Sequence, residues 1–423
     1  MMAKWRDCKI GDLLEIKHGF AFLGEHFGSS GTHVVLTPGN FLEEGGFKEK
    51  ADKAKWYNGP IPDDYVLSEG DLIVAMTEQA EGLLGSSALI PRSGVYLHNQ
   101  RLGLVQIRDP KLADRHFIYY LFNSKPVRQQ IRGSASGTKI RHTAPSRIAD
   151  VKVSVPPLPV QRRIAGILSA YDELIENSQR RIRILETMAR ALYREWFVHF
   201  RFPGHETHPR VPSPLGDIPQ GWEVTTLRAI TTKIGSGATP RGGKDAYKTE
   251  GIHLIRSLNV YDYSFEFDDL AFIDEQQAVE LDNVRVEEND ILLNITGASV
   301  ARCALVPSYL LPARVNQHVA IVRADPTKAS PFYVLDAINS ENRKAQLLAL
   351  AQGGATREAL TKDTVCNFEI VLPPRPLMTR YDANAHGIHK QREILLRQIQ
   401  NLRRTRDLLL PRLLSGQVNL KEN

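Results

Sequence analysis

The sequence repeats itself at a constant offset, and this internal repeat constrains the fold more than any other feature. Trp5 and Trp222 begin similar segments and lie 217 residues apart. The run GDLIVAMT (70–77) also matches NDILLNIT (289–296), at an offset of 219. The offset of 217 recurs between Asn99 and Asn316, Gly137 and Gly354, and Pro157 and Pro374. The chain is therefore predicted to be a tandem duplication whose two repeats fold alike.

Each repeat begins with a region of mixed strand and helix character. Short apolar runs bounded by Gly, Pro or Asn predict strands at 71–76, 103–107, 290–295 and 318–324. Apolar residues at helical spacing predict helices within 114–132 and 330–351. These patterns favour an α/β (α+β) fold class for both globular regions.

After a double proline, each repeat continues into a long stretch with apolar residues at alternating steps of four and three, the pattern of a coiled coil. The first seam comprises Ile164, Leu168, Tyr171, Ile175, Ile182, Leu185 and Leu192. The second comprises Ile388, Leu395, Ile399, Leu402 and Leu409, and Arg392 and Arg406 interrupt it. Because two equal helices that cross a two-fold axis run antiparallel, we predict an antiparallel coiled coil with pseudo-two-fold symmetry.

The double prolines mark domain edges, because proline lacks a backbone donor and disfavours helix in the residue before it. The long helices are predicted to separate the two globular domains. The predicted divisions are a first globular domain (1–156), a long helix (157–200), a linker (201–221), a second globular domain (222–375), a second long helix (376–416) and a tail (417–423).

Several function classes lack their sequence signatures. There is no phosphate-binding loop, no nucleophile elbow, no HExxH zinc motif and no tetrapeptide for amino-methyl transfer, so we expect no enzyme and no metal site. The pairs His205 with His208 and His386 with His389 are interpreted as solvated histidines. No run of about 18 apolar residues predicts a membrane span. Three widely spaced cysteines favour a reducing cytoplasm. A net charge of +6 mildly favours a polyanionic partner.

Three segments resemble one protein family. KIGDLLEIKHGFAFLGEHFGSSGTHVV (9–35) and KIGSGATPRGGKDAYKTEGIHLIRSLNV (233–260) resemble two common openings of target recognition domains. PPLPVQRRIAGILSAYD (156–172) resembles the junction between such a domain and its helix. The chain thus resembles the specificity (S) subunit of type I restriction–modification systems over nearly its full length. The second copy departs from the pattern, with Met378 at the position of Gln161.

The resemblance implies a subunit without catalytic activity. Each recognition domain is expected to read one half of a bipartite, gapped target in double-stranded DNA. The helices are expected to hold two methyltransferase (M) subunits, which methylate adenine, and ATP-driven restriction (R) subunits join them. S-adenosylmethionine, ATP and Mg are expected on these partners and no cofactor on this chain. Two alternatives stay open: the recognition region of a self-sufficient restriction–methylation enzyme, and a stand-alone DNA-binding scaffold.

Base reading needs side-chain donors at exposed positions, and loops supply such positions. The candidates in the first domain are Gly137, Thr138, Lys139, Arg141 and His142, with Gly19 and Phe20 as a second group. Those in the second domain are Gly354, Thr356 and Arg357, with Thr239, Arg241 and Lys244. A solvated turn is the alternative for the first loop. Asn99-Gln100 and Asn316-Gln317 are expected to brace the backbone. The acidic segment 262–290 fits either a flank of a DNA surface or a protein-binding face.

Overall fold

The computed structural model describes residues 5–50, 53–79, 81–267, 269–353, 358–418 and 420. The chain forms two compact units. Unit 1 contains the residues up to Glu176 together with those from Ile399 onward, and unit 2 contains Asn177–Gln398. Each unit therefore combines one globular region with parts of both long helices.

Unit 1 contains twelve of the described strands and the beginning of the first long helix. The strands are β1 (Arg6–Lys9), β2 (Leu14–His18), β3 (Phe27–Gly28), β4 (His33–Val35), β5 (Trp56–Tyr57), β6 (Leu72–Ala75), β7 (Thr77–Glu78), β8 (Ser87–Leu89), β9 (Tyr96–Leu97), β10 (Leu102–Ile107), β11 (Arg141–His142) and β12 (Lys152–Val155). The helices are α1 (Arg115–Phe122), α2 (Lys125–Gly133), α3 (Pro145–Ala149) and α4 (Leu158–Tyr193), which continues into unit 2.

The main sheet of unit 1 has the order β2-β10-β6-β8 and is antiparallel throughout. Leu72 and Val74 of its central strand β6 pack in a cluster with Phe117 of α1. The alternate residues Ile73 and Ala75 pack on the other face, against a second sheet of order β3-β5-β4-β9. Because both faces of β6 are covered, this strand is a continuous apolar run in the sequence.

Unit 2 repeats this design with fourteen described strands. They are β13 (Arg210–Val211), β14 (Ile218–Pro219), β15 (Glu223–Thr226), β16 (Thr231–Ser236), β17 (Ile252–Ile255), β18 (Val260–Tyr261), β19 (Ser264–Phe265), β20 (Ala271–Ile273), β21 (Arg285–Val286), β22 (Ile291–Asn294), β23 (Cys303–Leu305), β24 (Ala313–Val315), β25 (Val319–Ala324) and β26 (Glu369–Leu372). The helices are α5 (Glu275–Glu280), α6 (Pro331–Asn339), α7 (Glu341–Gln352), α8 (Lys362–Cys366) and α9 (Arg375–Leu414), which continues into unit 1.

The main sheet of unit 2 has the order β16-β25-β22-β23 and is also antiparallel. Its central strand β22 again has alternate residues on two covered faces, with Leu293 and Leu292 in different clusters. The second sheet has the order β20-β17-β24-β21 and contains one parallel pair, β17 with β24. In unit 1, β4 and β9 form the corresponding parallel pair. The internal duplication predicted from the sequence is therefore confirmed at the level of strand order.

In unit 1, the beginning of α4 and the end of α9 pack antiparallel. Ile164 and Leu168 of α4 share a buried cluster with Leu413 of α9. One turn further along α4, Asp172 accepts a hydrogen bond of 2.6 Å from Nη1 of Arg406, which precedes Leu413 on α9. Residue numbers rise along one helix as they fall along the other, as predicted.

In unit 2, the rest of α4 packs on the first part of α9 with the same polarity. Burial lowers the pKa of Arg392 on α9, and the negative charge of Glu186 on α4 opposes this shift. Farther along, a π-helical turn (Arg194–Val198) follows α4. Its Phe197 ring lies 4.9 Å from the ring of Tyr381 on α9, measured between centroids.

The predicted seam residues are buried or half-buried. The buried members are Ile164, Leu168, Ile175, Ile182, Leu395 and Ile399. The half-buried members are Tyr171, Leu185, Leu192, Ile388, Leu402 and Leu409. The interpretation of His389 as a solvated histidine is wrong. This side chain is only 7% exposed, because its ring stacks on Phe332 at a centroid distance of 5.1 Å. His386 is exposed.

The two long helices carry different side chains at the corresponding position of their first turn. In α4, the side-chain carbonyl of Gln161 accepts a 3.0 Å hydrogen bond from the amide of Asp114, and its Nε2 donates to the carbonyls of Leu112 and Pro156. In α9, the buried Met378 takes that position and its sulfur accepts a 3.1 Å contact from the amide of Ser330. A thioether therefore replaces the amide side chain without loss of the helix.

Candidate functional site

In unit 1, the candidate segments meet at one end of the main sheet. Strands β2 and β6 end there and β10 begins there, because neighbouring strands are antiparallel. Three backbone hydrogen bonds join the segments in a row. The amide of Gln100 donates to the carbonyl of Phe20, that of Met76 to Arg101, and that of Thr143 to Met76, at 2.9–3.0 Å. The loops around residues 20, 100 and 140 therefore form one surface.

The loop before β11 is a closed hairpin with an exposed tip. The backbones of Ser136 and His142 exchange two hydrogen bonds of 2.8 and 2.9 Å. Gly137 has a φ of 99°, and a Cβ there would lie 2.0 Å from the carbonyl oxygen of Ile140, so the turn requires glycine. The exposed side chains of the hairpin include Thr138, Lys139, Arg141 and His142. The hairpin thus holds basic side chains on a fixed base.

Strand β7 anchors this hairpin by pairing with β11, and it also carries a buried carboxylate. Arg141 lies opposite Glu78, and His142 opposite Thr77, in the β11–β7 pair. Glu78 is 3% exposed, and its Oε2 accepts hydrogen bonds from three successive backbone amides, those of Gly82, Leu83 and Leu84. These backbone amides stabilise the carboxylate inside the fold. The side chains of Lys139 and Arg141 remain exposed on the hairpin.

Gly19 and Phe20 support this surface through packing contacts. A Cβ at Gly19 would lie 2.1 Å from the carbonyl oxygen of Asn99, so the two loops approach too closely for any other residue. The Phe20 ring packs against Phe22 and Tyr65 at centroid distances of 5.2 and 5.3 Å. These contacts give both predicted residues a packing role.

Unit 2 forms the corresponding surface with two of the three backbone links seen in unit 1. The amide of Ile295, after β22, donates to the carbonyl of His318 at 3.0 Å, and the amide of Leu360 donates to Ile295 at 2.8 Å. Gly237 repeats the role of Gly19, since a Cβ there would lie 2.1 Å from the carbonyl oxygen of Val315. The two units therefore present equivalent surfaces.

The predicted candidates of unit 2 are exposed where they are described. Thr239, Arg241 and Lys244 lie in the loop after β16 and are all exposed. The side chain of Arg241 is 92% exposed, with Nε 3.8 Å from Glu280. Gly354, Thr356 and Arg357 lie outside the described residues.

Much of the acidic segment 262–290 is paired within unit 2. Arg314 donates to Asp282 at 3.0 Å, and Arg323 donates to Asp290 at 2.7 Å and contacts Glu287. Asp262 pairs with Lys344, and Asp274 lies 3.5 Å from Lys248. These pairs neutralise charge inside the unit, so the segment is less negative than its composition suggests.

The structure adds Thr77, Thr296 and His318 to the residues singled out from the sequence. At the sheet ends, the hydroxyl of Thr77 lies 3.1 Å from Nδ1 of His142, and that of Thr296 lies 2.7 Å from Nδ1 of His318. The Asn99 and Asn316 side chains each accept a hydrogen bond from a backbone amide two residues later. This is the bracing role expected of the asparagines. Sequence spacing could not reveal the Thr–His contacts, because strand pairing creates them.

Among the residues that the structure describes, no group of three or more His, Cys, Asp or Glu side chains could hold a metal ion. None of the helices in the described ranges combines the length and apolar character needed to cross a membrane.

Comparison with known proteins shows which family the chain resembles. The model of the type I restriction modification DNA specificity domain matches residues 2–187. The type I restriction enzyme MjaIX specificity subunit of Methanocaldococcus jannaschii is 25% identical over 309 residues, which cover 72% of this chain and 69% of that protein. The EcoBI specificity subunit of Escherichia coli is 23% identical over 333 residues, 76% of this chain and 66% of that protein.

A solved structure shares the fold. The S subunit of a type I restriction–modification system from M. genitalium superposes with a TM-score of 0.64 at 15% identity, over 97% of this chain and 96% of that one. Subunits of this family are not catalytic themselves and bind no cofactor, because S-adenosylmethionine and ATP are bound by the M and R subunits. They act as part of a complex with DNA. Residues 2–187 therefore match the specificity domain of type I restriction–modification systems, and most of the chain is similar to the specificity subunits of these systems.

Proposed function

We propose that the chain is the DNA specificity (S) subunit of a type I restriction–modification system. Residues 1–156 and 222–375 are its two target recognition domains, and each reads one half of a bipartite, gapped sequence in double-stranded DNA. The observation that carries this proposal is the duplicated surface at the ends of the two main sheets, held in each unit by two matching backbone hydrogen bonds. The exposed Lys139 and Arg141 of the first surface and Arg241 and Lys244 of the second supply donors for DNA.

The segments 157–200 and 376–416 serve as the helical docking region for two M subunits, with 201–221 as linker and 417–423 as tail. Exposed apolar side chains on the helices support this role. In unit 2, Ile184 and Met188 lie one turn apart on α4 and are about half exposed, as is Ile394 on α9. In unit 1, Leu174 and Leu408 are similarly exposed. Apolar side chains in such positions fit a protein partner.

The assembled complex then directs adenine methylation at the target, and R subunits join it to restrict DNA that lacks the methyl group. We place this work in the reducing cytoplasm. The three cysteines support that placement, because all are free thiols and Cys303 and Cys366 are buried.

The test is to express the chain with its M subunit, map the methylated bases of the host genome, and weigh the purified complex by native mass spectrometry. We expect one gapped motif methylated on both strands and two M subunits per S chain. A continuous motif would contradict the division into two reading domains. Any methyl transfer by the S chain without its partner would contradict the assignment of catalysis to M.

A matched pair of variants tests the docking region. Ile184→Asp with Met188→Asp places charges on α4 and should reduce the number of M subunits bound. Val279→Asp, at a side chain 74% exposed on the short helix α5, is the control and should leave the stoichiometry unchanged. Equal behaviour of the two variants would remove this face of α4 from the docking region.

A further inference from the structure

The same polar contact occurs at the same place in both units. Thr77 lies two residues beyond the end of β6, and Thr296 two residues beyond the end of β22. These are the central strands of the two main sheets. In each unit the threonine hydroxyl is hydrogen-bonded to Nδ1 of a histidine, at 3.1 Å for His142 and 2.7 Å for His318.

The two histidines do not occupy equivalent positions in the repeat. His142 comes from β11, which pairs with β7, and the repeat counterpart of this residue is Ala359, which forms the isolated bridge to Thr296. His318 comes from the turn before β25, and its counterpart is Arg101. Duplication of the sequence alone therefore cannot explain the shared contact. Each unit has built it with an imidazole from a different segment.

The hydroxyl fixes one nitrogen of each ring and leaves the other for an external partner. Whichever tautomer is present, Nδ1 is occupied by threonine. Within the described residues, Nε2 of His142 and of His318 has no hydrogen-bond partner. His142 is exposed and His318 is half-buried, so neither ring is sealed in a core.

Arginines are carried by the backbone segments that meet at both sheet ends. Arg141 precedes His142 in the chain. The exposed Arg101 lies in the turn before β10, and its backbone carbonyl accepts a hydrogen bond from the amide of Met76. In unit 2, Arg302 lies beside the end of β22, because the amide of Asn294 donates to its carbonyl at 2.8 Å. A positioned imidazole on a surface whose segments also carry arginines suits a hydrogen-bonding group of a nucleic acid.

We propose that His142 and His318 are matched DNA contacts, one for each half of the target, and that Thr77 and Thr296 are positioning residues that orient the rings. This inference rests on the proposed function, since it needs each surface to face DNA. It assigns His318, a residue of a turn expected to be structural, to the reading surface of the second domain.

The test uses the complex with its M subunits and duplexes that carry the mapped motif, or that motif with one base pair changed at a time. We expect His318→Ala to weaken binding by about 5- to 150-fold. If the ring contacts a base edge, the loss is confined to one position of one half-site. If it contacts phosphate, the loss is uniform and the salt dependence falls. His142→Ala should act on the other half-site.

Paired variants separate this role from a purely structural one. Thr296→Val should weaken binding because it removes the hydroxyl, whereas Thr296→Ser should retain it. His318→Gln keeps a donor and should bind better than His318→Ala. The control is His116→Ala on α1, an exposed residue outside the loops of the sheet end and outside the proposed docking helices. Thermal unfolding of each variant complex verifies that it is folded.

The failures of the two proposals are distinguishable. Absence of a gapped motif for the wild-type complex would overturn the proposed function, and this inference would fall with it. A gapped motif with unchanged affinity and base preference in His318→Ala would overturn this inference alone. A loss equal to that of His116→Ala would do the same.

Discussion

Asp172 of α4 and Arg406 of α9 form an ion pair of 2.6 Å in the helix seam of unit 1. The second carboxylate oxygen of Asp172 accepts a hydrogen bond of 2.6 Å from the hydroxyl of Tyr120 on α1. Burial raises the pKa of Tyr120, and the neighbouring Asp172 raises it further. Burial opposes the charge of Arg406, but its hydrogen bond and attraction to Asp172 outweigh this effect and raise its pKa. One carboxylate thus joins three helices.

Arg406→Ala should therefore lower the free energy of unfolding of unit 1 by about 1–3 kcal/mol, because the partly buried Asp172 loses its ionic partner. Urea denaturation of the full-length chain, followed by circular dichroism, measures the change. The matched control is Lys9→Ala, which breaks a 2.8 Å pair with Asp150 in which both side chains are more than half exposed. The control should change little. Equal losses in the two variants would contradict a special role for the seam pair.

The double variant Lys139→Ala with Arg141→Ala should weaken DNA binding by the assembled complex. A base-edge contact would cost about 1–3 kcal/mol and relax specificity at one position, whereas phosphate contacts would weaken all sequences evenly. Binding titrations at several salt concentrations distinguish these results. Arg108→Ala is the control, because Arg108 follows the opposite end of β10 and pairs with Glu15. Unchanged binding by the double variant would exclude the hairpin from the DNA surface.

His98 should make the stability of unit 1 depend on pH. Burial lowers the pKa of this histidine to about 4, and its Nε2 lies 2.9 Å from the carbonyl of Leu102. Above about pH 6.5 the ring is neutral in the folded and the unfolded chain, so it contributes no pH dependence. Between about pH 6.5 and pH 4 only the unfolded chain takes up the proton, so stability falls as the pH is lowered, by at most about 3 kcal/mol.

The measurement is the unfolding free energy of the full-length chain at a series of pH values, compared with His98→Asn. As the pH falls through this window, the unfolding free energy of the wild type should decrease more than that of His98→Asn. A constant difference would show that His98 is not held neutral in the folded state.

Exchange of residues 1–155 for the corresponding domain of another S subunit should change one half of the methylated motif and leave the other half as it was. The expectation follows from the independent core of each globular region and from the double proline that ends the first one. Mapping of methylated bases in cells with the hybrid complex gives the result. A change in both halves would show that one domain does not read one half-site.

The repeat and the long helices could be predicted from the sequence because both depend on local or periodic patterns. The central strands β6 and β22 are continuous apolar runs, and the helix seam follows a regular heptad. Arg406 interrupts that heptad in the sequence, yet the structure gives it a partner 234 residues away in the chain. Such a partner depends on how two helices align, which no local pattern contains.

The candidate surface was predicted only in part, for a related reason. The hairpin before β11 carries a visible cluster of basic residues, and its Gly137 is required by a close backbone approach. His318 has no such local signal, because its contact with Thr296 is created when β22 and β25 lie side by side. The sequence indicates that Gly19 and Phe20 lie in a loop, but their packing arises only when that loop meets Asn99 and Tyr65.

The two long helices carry different charged residues at corresponding positions of the repeat, and this affects where recombination can exchange parts of the chain. The residue of the second repeat that corresponds to Asp172 is His389, and the residue of the first repeat that corresponds to Arg406 is Ala189. A recombination crossover at Pro156–Pro157 transfers a whole globular domain and keeps Asp172 with Arg406. A crossover that replaced α4 by a copy of α9 would set His389 in place of Asp172 and lose the ion pair. Genetic exchange is thereby favoured at the domain edge and penalised inside the helices.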